Sequence, residues 1–150
     1  MFIRTLKLSL CLMLMSVGIA HADLNALIRD LNISAQGDIG GYKAKLEGRF
    51  GTSNSQIEVV FRSVEGPGEA AIILWLGEQA RQPLDMVLNV YRSQKSQGWG
   101  AMAKSLGIKP GTPTFHALKN GNIQLSLNGG GALNTKAKGK SKKSKKNKNS

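Results

Sequence analysis

Few side chains in this sequence are of the types that perform catalysis or bind metal ions. After residue 22 the chain has a single histidine, His116, and no cysteine, and its last carboxylate side chain is that of Asp85. A general base or a metal site needs such groups in combination. We therefore predict that His116 is a structural histidine, partly buried and hydrogen-bonded near Trp99. The sequence predicts no catalytic residue, no cofactor and no metal, and so a protein that is not an enzyme.

Lysine is the other side chain with a clear chemical role, and it is concentrated near the C-terminus. Ammonium groups on a mobile chain attract polyanions by releasing counterions, without sequence preference. The segment has no arginine and no aromatic residue, which argues against bidentate recognition and base stacking. We predict that it binds polyanions or an anionic envelope surface, with only non-specific binding to nucleic acid; a purely solubilising tail is the alternative. The eight lysines are Lys136, Lys138, Lys140, Lys142, Lys143, Lys145, Lys146 and Lys148.

The high net charge of the chain belongs to this tail. The formal net charge is +12. Residues 23–135 contain eleven lysines and arginines against nine carboxylates, which leaves a net charge of +2. A basic fold is therefore not implied, because the charge that would attract a polyanion lies mostly beyond residue 135.

The first 22 residues have the composition of a secretory signal peptide. Arg4 and Lys7 precede an apolar run over residues 8–19, and residues 20–22 have the A-x-A pattern of a cleavage site. The run is shorter than the ~20 residues that a membrane span needs. We therefore predict cleavage before Asp23 and an exported protein, periplasmic or extracellular, without a transmembrane span in its mature form. The sequence leaves the oligomeric state open.

The elements that position these side chains have the hydrophobic period of helices. Leu24, Leu27, Ile28 and Leu31 fall at i, i+3, i+4 and i+7, which predicts an amphipathic helix. Residues 36–41 are rich in turn formers and predict a linker.

The next segment, residues 42–50, has apolar side chains at i, i+4 and i+8, although their alternation also allows a strand. Gly51 ends this segment, and Thr52 or Ser53 is suited to cap the helix that follows.

A shift of thirty residues aligns residues 51–77 with residues 81–107 without a gap. We interpret the match as a duplication in which each unit has a helix, a glycine turn, a second helix and a Leu-Gly stop. On this interpretation a positive φ at the glycines ends each helix. The identical pairs are Val60/Val90, Arg62/Arg92, Ser63/Ser93, Gly68/Gly98, Ala71/Ala101, Leu76/Leu106 and Gly77/Gly107.

The C-terminal part is predicted to be less regular. Thr112 is a good N-cap for a short helix over residues 114–119. Residues 123–127 alternate between apolar and polar types, which predicts an extended arm on the domain. Residues 129–131 are glycines and predict a flexible linker, and residues 136–150 have too few apolar side chains to fold.

One stretch of the chain has a Gly-Trp-Gly pattern followed by Leu-Gly-Ile-Lys-Pro-Gly. Its positions include Gly98, Trp99, Gly100, Ala103, Leu106, Gly107 and His116. The stretch resembles a group of small exported bacterial proteins of unknown function. The similarity covers roughly residues 42–121, and it implies a helical, exported protein without bringing any catalytic residue.

A second resemblance concerns DNA-binding proteins. Residues 102–108 resemble the first helix and turn of a helix-turn-helix, with residues 113–119 in the place of the recognition helix. Thr114, His116 and Lys119 are a thin set of side chains for reading base edges. A helix-turn-helix-like nucleic-acid-binding protein is therefore the alternative to a binding or adaptor protein.

The predicted fold is all-α: two repeated helical hairpins and a short C-terminal helix, followed by a disordered lysine-rich tail. The predicted parts are a signal peptide (1–22), an N-terminal helix and linker (23–41), a helical domain (42–128) and the flexible tail (129–150). Trp75 and Trp99 are predicted to lie in the core. The other predicted core residues are Leu46, Phe50, Ile57, Val60, Phe61, Ile72, Leu76, Val87, Val90, Tyr91, Met102 and Leu106.

Overall fold

The computed structural model describes residues 22–127. Residues 1–21 and the lysine tail, with the predictions made for them, lie outside this range. The described residues form seven α-helices and no β-strand, which confirms the all-α fold class. The helices are α1 (Ala22–Gln36), α2 (Ile39–Phe50), α3 (Asn54–Ser63), α4 (Pro67–Ala80), α5 (Leu84–Gln94), α6 (Trp99–Ser105) and α7 (Pro113–Lys119), and a turn of 3₁₀ helix (Lys95–Gln97) joins α5 to α6.

Helix α4 is the centre of the fold. Its sequence is apolar on nearly every side, as expected of a helix that is surrounded by others. All residues from Ala70 to Leu76 are buried, Trp75 among them. Helices α1, α2, α3 and α5 contact it. The hydrophobic effect on these faces is therefore what holds the helices together.

Helix α1 is packed closely against α4. Leu24, Leu27 and Leu31 are buried, as the periodicity predicts. The contact requires glycine at position 68, because a Cβ there would lie 2.4 Å from the carbonyl oxygen of Ile28. Gly68 is therefore needed for close approach, and the prediction that it ends a helix with positive φ is wrong.

The starts of α2, α3 and α7 are capped by neighbouring polar side chains. Asp38 accepts a hydrogen bond from the backbone N–H of Gly41 at 2.8 Å, so the predicted linker over residues 36–41 shrinks to residues 37–38. Ser53 and Gln56 form a capping box at α3. Thr112 accepts from Phe115 N–H at 3.2 Å, as predicted. These bonds satisfy N–H groups that have no partner within the helix.

Helix α4 has a cap that comes from another helix. Gly66 at its start has no side chain, and the Asn32 side chain of α1 accepts a hydrogen bond from Gly68 N–H at 2.7 Å. At the far end, Arg49 of α2 makes two hydrogen bonds to the Glu78 carboxylate, at 2.8 and 3.0 Å.

Several helices end in a left-handed residue. Gly51 (φ 60°) ends α2 and Gly107 (φ 89°) ends α6, as predicted. The end of α4 is different from the prediction. Gly77 lies inside α4, and the left-handed residue is Arg81 (φ 52°). The N–H of Gln82 donates to the carbonyl of Gly77 at 3.1 Å, so the helix closes with the usual backbone bonds although the residue is not glycine.

Two helix starts agree with the thirty-residue shift. Helix α3 begins at Asn54 and α5 at Leu84, and the left-handed residues Gly51 and Arg81 precede them at the same spacing. Duplication stays an interpretation of the sequence.

The predicted core is buried or partly buried throughout. Phe50, Phe61 and Val90 are partly buried against it, and the other nine predicted residues lie within it. At the C-terminal end Ile123 is buried and Leu125 and Leu127 pack on the core, so the predicted arm lies on the domain.

Candidate ligand pocket

The residues of the Gly-Trp-Gly stretch form α6 and its approach. Gly98 has φ 88°, as predicted, and Ala103 and Leu106 are buried. Trp99 is only partly buried. Its ring lies 6.1 Å from the ring of Tyr91, centroid to centroid, at an interplanar angle of 40°. Trp99 therefore covers the edge of the core and leaves part of its ring accessible.

Polar contacts at the start of α4 hold the Tyr91 ring in place beneath Trp99. The Tyr91 hydroxyl donates to Oε2 of Glu69 at 2.7 Å, and this carboxylate oxygen also accepts from the backbone N–H of Glu65 at 2.8 Å. Lys95 forms an ion pair with Glu65 and lies 5.5 Å from the centre of the Tyr91 ring. Burial, with the hydrogen bond to Glu69, raises the pKa of Tyr91. These contacts hold the Tyr91 ring, which in turn packs against the ring of Trp99.

His116 does not lie where the sequence predicts. Helix α7 packs on the domain through Leu118, which is buried. Two residues along a helix turn the side chain by about 200°, so His116 points away from that contact and is exposed. The prediction of a partly buried histidine is therefore wrong.

A cavity of about 250 Å³ lies between the start of α1 and the pair α6–α7. It brings together residues that are distant in the sequence. The apolar part of its lining is formed by Leu24, Trp99, Ala101, Phe115 and Leu118, and the polar part by Asn25, Gln97, Lys104 and Lys119. Gly100 completes the lining. We refer to this cavity as the α6–α7 pocket.

Gly100 is the one described residue of the lining without a side chain. A Cβ at this position would lie 3.7 Å from Cζ of Phe115, an ordinary contact distance, so no clash forces glycine here. Because Gly100 has no side chain, the backbone of α6 itself lines the pocket at this position. Glycine is favoured where a ligand approaches backbone closely.

The charged side chains described in the pocket lining are cationic. Lys104 is exposed and Lys119 is partly exposed, and none of the described lining residues has a carboxylate. None of the described ion pairs includes either lysine. The pocket therefore presents apolar side chains and two ammonium groups to a ligand.

The geometry of α6 and α7 differs from that of a helix-turn-helix. Residues 106–112 connect them, whereas the DNA-binding motif uses a turn of three to four residues. Leu106 and Ile108 in this connection are buried, so it is part of the fold rather than a spacer.

Other features bear on the class of protein. Within residues 22–127, no group of three or more histidine, cysteine or acidic side chains is placed to hold a metal ion. None of the described helices is both long enough and apolar enough to cross a bilayer. Comparisons of the chain with protein-family models, with curated proteins and with solved structures find no match. The eight predicted polyanion-binding lysines, Lys136 to Lys148, lie outside the described residues.

Sequence reasoning finds part of this pocket. The sequence pattern identifies Trp99 and Gly100, but it predicts a structural role for them. Leu24 and Asn25 were missed, because their place beside α6 follows from how α1 packs on α4. The absence of any carboxylate after Asp85 is the signal in the sequence that fits the positive lining.

Proposed function

We propose that this protein is an exported, non-enzymatic binding or adaptor protein whose lysine tail engages polyanions or an anionic envelope surface. The observation that carries the proposal is the separation of charge along the chain. All nine carboxylate side chains lie between Asp23 and Asp85, whereas eight lysines lie in residues 136–148. A polyanion would meet a dense cationic segment that no acidic residue of its own region neutralises.

The charges of the described domain fit this proposal. Its ion pairs are Lys43–Glu58, Arg49–Glu78 and Lys95–Glu65, and all three use carboxylates of α3, α4 and the segment between them. Lys104, Lys109 and Lys119 follow the last carboxylate in the sequence. The α6–α7 part of the domain therefore has the same sign of charge as the tail, and it would not repel a polyanion bound there.

The test is the salt dependence of binding by the full chain. Contacts to about six to eight phosphates of duplex DNA should give a log–log slope of roughly −5 to −7 against salt concentration. Replacing Lys142, Lys143, Lys145 and Lys146 by glutamine should reduce this slope by about half. Vesicles with anionic lipids, measured in parallel with DNA, distinguish an envelope surface from a nucleic acid.

A matched control removes four cations from the domain instead. Arg29, Lys45, Arg62 and Lys109 are exposed and take part in none of the described ion pairs. Their replacement by glutamine changes the net charge equally and should leave the slope nearly unchanged. Equal effects of the two sets would contradict a site in the tail.

The nucleic-acid alternative makes a different prediction. A helix-turn-helix-like protein would retain sequence preference for duplex DNA when the chain ends at Asn134, because α6 and α7 would carry the recognition. Binding that disappears with the tail and shows no sequence preference supports the polyanion proposal.

A further inference from the structure

We infer that the α6–α7 pocket is a binding site for a small aromatic carboxylate. This inference concerns the folded domain alone and is independent of the tail.

The size of the pocket suits an occupant of one or two rings. An apolar cavity of ~150 Å³ accepts benzene, and pockets for drug-sized ligands start at ~300 Å³. At about 250 Å³, the α6–α7 pocket lies between these values. A fused two-ring compound is therefore a suitable size for a test ligand.

The lining favours a flat apolar body. Trp99 and Phe115 contribute aromatic rings to the lining, and Gly100 contributes backbone. Aromatic rings pack well against one another in offset or edge-to-face arrangements. A flat aromatic ligand can therefore pack against the accessible faces of these rings.

The rim favours one negative charge on that body. Lys104 and Lys119 supply two ammonium groups, and the Asn25 and Gln97 amides supply N–H donors. A carboxylate can accept several hydrogen bonds at once, and those from charged donors are the stronger ones. Among the described residues of the lining there is no carboxylate, so none of them repels an anionic ligand.

The first experiment is a calorimetric titration of the full chain with 1-naphthoate. We expect saturable binding to one site that weakens as salt is added. The double variant Lys104→Gln/Lys119→Gln should lower the affinity about tenfold. The matched double variant Lys45→Gln/Lys109→Gln removes two exposed lysines outside the pocket and should change the affinity less than about twofold.

Two further ligands test the chemical class. The neutral analogue 1-naphthylmethanol should bind the unaltered protein about tenfold more weakly than 1-naphthoate does. The Lys104→Gln/Lys119→Gln variant should bind the two compounds with about equal affinity. Octanoate should bind more weakly than 1-naphthoate. Equal affinity for the alcohol, or tighter binding of octanoate, would overturn the assignment to an aromatic carboxylate.

A blocking variant tests the location. Gly100→Leu places a side chain in the pocket and should lower the affinity for 1-naphthoate by more than about tenfold. Gly48→Leu is its control, because Gly48 also lies within a helix and a Cβ there meets nothing within 4 Å. Thermal unfolding establishes that both variants are folded.

The outcomes separate this inference from the proposed function. Unchanged 1-naphthoate affinity in folded Gly100→Leu would overturn the pocket assignment. The four tail substitutions at Lys142, Lys143, Lys145 and Lys146 should leave 1-naphthoate binding intact while they weaken DNA binding. Loss of both activities with the tail substitutions would place the carboxylate outside the pocket.

Discussion

The helix pairs α3–α4 and α5–α6 begin thirty residues apart and differ in their second helix. Helix α4 has fourteen residues and is buried on nearly all sides, whereas α6 has seven and leaves Trp99 partly exposed. The first pair supplies the centre of the core. The second supplies the wall of the α6–α7 pocket.

The difference shows in the glycines that occupy matching positions. Gly68 is buried against the backbone of α1, so it is required by space. Gly98 meets nothing within 4 Å of a Cβ, but its φ of 88° and ψ of 166° are accessible essentially to glycine alone. The same residue at the same spacing thus serves two purposes, because α1 covers only the first pair at this position.

Replacing each tryptophan by alanine should separate the two regions most strongly. Trp75 is 5 % exposed and lies in α4, so Trp75→Ala should cost about 4 kcal/mol through lost burial and an unfilled cavity. Trp99→Ala should cost about 2 kcal/mol, since part of its ring already contacts solvent. Urea unfolding followed by circular dichroism measures both. Equal losses would mean that α6 contributes to the core as much as α4.

The sequence predicts most of the helices because their signals are local. Apolar periodicity, Ser53, Thr112 and Gly107 each act within a few residues of their own helix. Periodicity also identifies buried faces, which explains the agreement on the core. The purpose of Gly68 was not predictable in this way, since its neighbour Ile28 is forty residues away and only packing brings them together.

The pocket was less predictable than the fold. Its lining joins the start of α1 to α6 and α7, and the side of α7 that faces the domain depends on Leu118. The prediction of a partly buried His116 rests on the lack of partner residues for it in the sequence. That lack does not indicate on which side of α7 the residue lies. A pocket formed between distant segments leaves no pattern at one place in the chain.

The glycine substitutions should give the next largest effects. Gly68→Ala should cost about 3 kcal/mol because α1 must move away from its new Cβ. Gly98→Ala should cost about 2 kcal/mol from backbone strain. Amide hydrogen exchange separates the causes: Gly68→Ala should expose amides of α1, whereas Gly98→Ala should expose those of α6. The same exchange pattern in both variants would contradict different roles for the two glycines.

Substitutions at the left-handed residues Gly51 and Arg81 should have the smallest effects, and they test how similar the two helix pairs are at their starts. Both precede the first helix of a pair, with φ of 60° and 52°. In this conformation a residue with a Cβ is less stable than glycine by about 1 kcal/mol. Arg81 is exposed, and none of the described side-chain hydrogen bonds or ion pairs includes it. Arg81→Gly should therefore raise the free energy of unfolding by about 1 kcal/mol.

The reverse substitution, at Gly51, tests the same conformational cost. A Cβ at Gly51 meets nothing within 4 Å, so Gly51→Arg should be limited to the conformational cost and should destabilise the protein by about 1 kcal/mol. The double variant Gly51→Arg/Arg81→Gly should then unfold at nearly the urea concentration of the unaltered protein. A double variant that is much less stable would show that the two positions differ in more than their backbone. In that case the resemblance between the two helix pairs would be limited to their spacing.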